Sequence, residues 1–322
     1  MTATRTTTGR ALVVPAVLLA ALAGAFVATQ GRLNGDLATA GAGALLSAWL
    51  SYVGTLVTVV LVILIQGRAG PTVRILRHQA RWWWYAVGLC GVPIVVMFAV
   101  GIPVVGVAIA SVCSVAGQTV AGLVLDARGV GIPAALRLTG RRLVAAVVAV
   151  AGLVVAVGSA PSSDLGRVMV LGALMFVSGA VLAGQQAGNG RVNLLTRDAV
   201  LPALTSSAGG TVGVSVLVAA VAAAGGLHGV ALPSRPDQWY LYLGGPLGAA
   251  ITVLAAWSIR HLGTFALTLG VLAGQMVAAV GVDLIWGVGA RGWTYLAVAM
   301  ITAATVLVVL PQRALRRRPA AG

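Results

Sequence analysis

The stretch "AGQTVAGLVLD" at 116–126 returns as "AGQMVAAVGVD" at 273–283, 157 positions later. Each copy holds a Gln in its middle, Gln118 or Gln275, and ends on an Asp, Asp126 or Asp283. The chain has six acidic residues in all, every one an Asp, so the two copies use a third of its negative charge. Outward from this pair, the likeness continues. "WWWY" (82–85) and "WYLY" (239–242) keep the offset of 157, as do Gly106 and Gly263. "QGRLNG" (30–35) and "QQAGNG" (185–190) match at 155. The sequence is therefore one half written twice.

Its solvent follows from composition. The 322 residues are 59% hydrophobic and 8% charged, against about 25% charged in soluble domains. So little polar surface implies lipid. A spanning helix needs about 20 mainly apolar residues. Arg10 to Arg32 leaves 21 uncharged residues, and Asp36 to Arg68 leaves 31. Arg81 to Asp126 leaves 44, enough for two spans, with a break at "GIPVVG" (101–106). Six further gaps of 21 to 36 residues complete the chain, which predicts ten transmembrane helices and an all-α integral membrane protein. The apolar stretch after Arg10 reads as the first span rather than a secretory signal, because it has a counterpart in mid-chain where no signal can stand.

The net charge of +15 does not point to nucleic acid, because it is sorted by side. Summed over alternate connections, 17 of the 21 Arg fall on the side of the N-terminus and 4 on the other; there is no Lys. That asymmetry puts both termini in the cytoplasm, with "RALRRR" (313–318) against anionic headgroups. The aromatic clusters at 82–85 and 239–242 suit the two interfaces, where amphipathic rings concentrate. Cys90 and Cys113 fall inside spans and read as small core residues.

Five spans per half is odd, so the two halves, residues 1–160 and 161–322, enter the membrane from opposite faces. Inverted five-helix repeats are the architecture of alternating-access transporters, whose site lies between repeats near the midplane. A duplicated scaffold and a channel are the competing readings.

The residues also resemble a family: the drug/metabolite transporter superfamily, in its YdcZ-like branch of inner-membrane exporters. The marks are Gln30, Asn34 and Gly35 after the first span, and Gly117, Gln118, Asp126, Gly129 and Pro133 from the fourth span into its loop. The second half repeats Gly274, Gln275 and Asp283, with Gly287 one residue late and no matching Pro. The resemblance implies a fused ten-helix exporter. Where the family often has His-Phe after the Asp, this chain has Ala127 and Arg128, which removes any proton relay through that His.

Gln118 and Gln275 lie near the middle of their spans, where a primary amide must find hydrogen-bond partners. They either line a central cavity or bond neighbouring helices. Asp126 and Asp283 stand 8 residues on, roughly 12 Å along a helix. Each is a gate or protonation site, or part of an ion pair, for which Arg128 is the expected partner of Asp126. Gln30 with Asn34, and Gln185 with Asn189, share a helix face at a spacing of four. Gly follows each Asn, so the Asn reads better as a helix C-cap, with the Gln left as a cavity candidate. Gly209/Gly213, Gly244/Gly248 and Gly270/Gly274 allow close helix contact, and Pro93, Pro103 and Pro246 can interrupt spans three and eight.

Enzyme chemistry is not indicated. There is no Glu, His78, His228 and His261 fall at predicted loops or span ends, and no Walker A, H-E-x-x-H or G-x-S-x-G motif occurs. No cofactor or metal is expected. The expected partners are the bilayer and a small polar metabolite or drug-like substrate, moved by a secondary transporter; a homodimer stays open.

Overall fold

The computed structural model describes residues 12–158, 165–227 and 229–285, with a few positions between 292 and 303. All regular structure among them is helical. Helix α1 (Val13–Leu37) runs through a π-helical turn, Ala38–Ala42, into α2 (Gly43–Ile65). A short amphipathic α3 (Ala69–Gln79) fills what reads in the sequence as a loop, so His78 is helical. Then come α4 (Trp82–Leu89), α5 (Val92–Val105), α6 (Val107–Ala127), α7 (Gly140–Gly158), α8 (Leu165–Thr196) and α9 (Val200–Ala223). A 3-10 segment, Pro236–Leu243, leads into α10 (Gly244–Ile285). Among the described residues, six stretches are long and apolar enough to cross a membrane, the first of them containing both α1 and α2; Ala266–Val282 is a shorter apolar helix.

The break expected at 101–106 falls at Gly106, and its equivalent falls at Gly263. Gly106 separates α5 from α6 at φ 82°, ψ 163°, and Gly263 interrupts α10 at φ 78°, ψ 167°. A side chain strongly disfavours this backbone region, and the two glycines stand 157 apart. Each lets one helix end and the next begin without a loop. Pro93 stands just inside the start of α5, beyond the α4–α5 break at Cys90 and Gly91, while Pro103 lies inside α5.

Packing follows the same duplication. Gly24 of α1 lies on the Val271 carbonyl and Gly274 of α10 on the Ala21 carbonyl, with no room for a Cβ at either crossing. The equivalent residues repeat the contact: Gly179 of α8 lies on the Ser114 carbonyl, and Gly117 of α6 on the Phe176 carbonyl. Gly209 meets the Tyr85 carbonyl, and Gly244 and Gly248 meet Asn34 and Thr55. Lipid gives no hydrophobic drive for helix association, so such close backbone approach carries the packing. The main core surrounds α6, with Ile109, Val112 and Cys113 buried against Met175, Leu272 and Met276. Large aliphatic side chains such as Leu18, Val147, Val216 and Val277 remain exposed on the outer surface.

At one end of the bundle, Gly41 accepts a bond from the Ala231 amide, and Leu37, Ala42 and Leu241 pack together. At the other, Arg68 pairs with Asp198, and Asp126 lies beside Gly263.

Candidate functional site: a central cavity lined by amides

Between the repeats lies a mainly apolar cavity set with amides and hydroxyls, in two adjoining lobes that share lining residues. The first encloses about 110 Å³ and is lined by α1, α2, α5, α8, α9 and α10. The second encloses about 80 Å³ and adds Gln118 of α6. Val27, Leu182, Gln185, Ile251 and Thr252 belong to both.

The lining is built from equivalent pairs. Gln30 Nε2 donates to Ser51 Oγ at 3.1 Å, and Gln185 Nε2 donates to Ser206 Oγ at 2.9 Å, each across 21 residues of chain. Gly91 sits under the Gln185 amide and the Tyr52 hydroxyl, while Gly248 sits under Thr55 and the Gln30 amide. Gly91 and Gly248 are 157 apart, and so are Ile94 and Ile251 and also Val95 and Thr252, all of them lining residues. Gln30 is fixed further by a 2.6 Å bond to the Gly244 carbonyl.

Asn34 does not cap its helix. α1 continues to Leu37 and α8 to Thr196, so Asn34 and Asn189 are interior helical residues. Tertiary packing overrides the local Asn-Gly preference here: Asn34 Nδ2 donates to Ser51 Oγ at 3.3 Å, and Ser47 Oγ donates to the Asn34 carbonyl. Asn34 lines the first lobe and Asn189 the second.

In the second lobe Gln118 Nε2 donates to Ser114 Oγ at 3.0 Å, and Gln186 Nε2 donates to Gln118 Oε1 at 3.3 Å. Thr268 Oγ1 donates to Gln186 Oε1 at 3.3 Å. Gln275 Nε2 crosses to Ser111 Oγ at 2.9 Å. Gln118 and Gln275 are thus both cavity-lining and interhelical, and the two readings of the sequence do not exclude each other. Gln275 Oε1 and Asn189 Oδ1 are buried and meet no donor among the described residues.

Asp126 is fully buried, and its partner is Arg142 of α7, not the neighbouring Arg128. The reason is the path of the loop. The Leu136 amide donates to the Asp126 carbonyl at 2.9 Å, so the chain doubles back and delivers Arg142 to the carboxylate. The same fold lays Gly131 on the Ala187 backbone, beside the second lobe. Asp283 lies in the last turn of α10; its side chain is outside the described residues.

Long apolar helices around a cavity set with amides, written as two sequence repeats, define a multi-pass membrane protein. The family model described as "Putative inner membrane exporter, YdcZ" matches residues 15–155 and again 170–310, and the chain belongs to that family. The family is one of membrane exporters rather than enzymes, and its description places it in the inner membrane. A solved structure described as "Crystal structure of protein" shares the fold, with a TM-score of 0.64 and 16% identity over 94% of this chain and 98% of its own. No curated protein matches.

Proposed function

We propose that the protein is a secondary transporter that carries a small polar metabolite or drug-like compound outward through the amide-lined cavity. It has ten spans in two inverted five-helix repeats, residues 1–160 and 161–322, both termini are cytoplasmic, and alternating access exposes the cavity to each face in turn. The observation that carries this reading is the pairing of Gln30–Ser51 with Gln185–Ser206 across one cavity. The contacts at the two ends of the bundle support the inversion: α1 ends beside the start of α10, whereas its equivalent α8 ends beside Arg68. The sorting of 17 Arg against 4 supports the orientation.

Gln30, Asn34, Gln118, Gln185, Asn189 and Gln275 bind substrate. Asp126, held by Arg142, and Asp283 act at gates or in proton coupling. The Arg-rich connections rest on anionic headgroups; Arg81, Arg191 and Trp83 around one cavity suit that contact.

Flux in proteoliposomes with a metabolite panel tests the reading. Saturable uptake with counterflow is expected. Conduction without counterflow would make the protein a channel, and neither would leave a scaffold.

A further inference from the structure

We infer that the cavity selects a substrate that carries no net charge and donates hydrogen bonds; this rests on the transporter reading above. No described lining residue of either lobe is charged: the polar side chains are amides and hydroxyls throughout. An ion stripped of water there would meet no opposite charge, and an uncompensated charge in a low-dielectric site is strongly disfavoured. Amides and hydroxyls can instead hydrogen-bond a neutral polar molecule without an opposing charge.

The free valences of the site point the same way. Gln275 is buried between α6 and α10; its amide nitrogen is engaged by Ser111, while Oε1 has no donor among the described residues. Asn189 Oδ1 is in the same condition, and both residues line the second lobe. Buried acceptors without donors are rare and call for a reason. Both belong to residues that line the second lobe, and a ligand that brings hydroxyl or N–H groups is what such acceptors take. Anions, which bring only acceptors, fit worst. Asp126 and Arg142 pair with each other, and neither lines either lobe. Polyols, neutral sugars and uncharged amides are the class that fits.

The test is binding to the full-length protein in lipid nanodiscs, read by thermal shift and calorimetry. The probes are four-, five- and six-carbon polyols, each with its matched carboxylate and its matched amine. The expected result is that at least one neutral member binds ten-fold or more tighter than both charged members on its frame. Gln275→Glu, which adds a charge, should reverse the order toward the amine. Gln275→Met, close in shape, should weaken the neutral ligand without admitting the charged ones, and its unfolding temperature shows whether it is folded. Equal binding across charge, preference for a charged member, or failure of every neutral member would each overturn the inference. Binding of a neutral member without flux would leave it standing and remove the transporter reading.

Discussion

The two lobes of the cavity come from equivalent residues and are not alike. In the first, Gly31 faces Phe98, whose ring stands 2.8 Å from where a Cβ on Gly31 would lie. In the second, the equivalents are Gln186 and Ala255. Small replaces large on α10 and large replaces small on α8. The first lobe thus ends on an aromatic wall, the second on the Thr268–Gln186–Gln118 chain. The ends of the bundle differ too: Leu37, Ala42 and Leu241 pack together near the Arg32–Asp36 pair at one, and buried Asp126 pairs with Arg142 at the other. The duplicated frame is shared, and the side chains placed on it differ between the two ends.

Breaking the buried Asp126–Arg142 pair should have the largest effect. Arg142→Leu strips a fully buried carboxylate of its guanidinium and should cost about 3–5 kcal/mol, seen as a sharp fall in unfolding temperature in nanodiscs. Arg128→Leu should leave that temperature nearly unchanged, and a fall of equal size would mean that the loop does not fold back as described.

Gly91→Ala and Gly248→Ala come next. Each puts a methyl group where the Gln185 or Gln30 amide lies. Each should lower transport about tenfold with the fold intact, the scale of one displaced hydrogen bond. Equal losses would show that both repeats contribute one site; loss in only one would confine binding to a single lobe.

A smaller effect should follow Gln186→Leu, which removes the residue peculiar to the second lobe. Affinity should fall roughly threefold to tenfold, measured as KM in proteoliposomes. Ala255→Phe restores the bulk of the first lobe and should reduce it similarly. At the bottom of the scale, Arg235→Ala breaks an ion pair whose side chains are 75% and 64% exposed and should change stability by less than about 0.5 kcal/mol.

Much of this was legible because repetition marks what matters without an alignment. Offsets of 155 and 157 picked out Gln30, Gln185, Gln118, Gln275, Gly106 and Gly263, and the structure brings the four amides to one cavity. The same filter hid Gln186, which has no twin, since Gly31 stands in its place. Ser51 and Ser206 also keep the offset, but serine is common in apolar helices and carries little signal alone. The Asn-Gly steps misled because a local C-cap preference is weaker than burial inside a long helix. Arg142 was missed because the loop from 128 to 139 brings a distant residue nearer than the neighbour.

The central claim is that equivalent points of the two repeats face opposite sides of the membrane. Ala40 and Leu195 are equivalent by the offset of 155, and both are exposed. With Cys90 and Cys113 replaced by Ala, single cysteines at Ala40→Cys and Leu195→Cys can be labelled in sealed vesicles by an impermeant maleimide. The account predicts labelling of position 40 from the outside and of position 195 only from the cytoplasmic side. Labelling of both from the same side would contradict it.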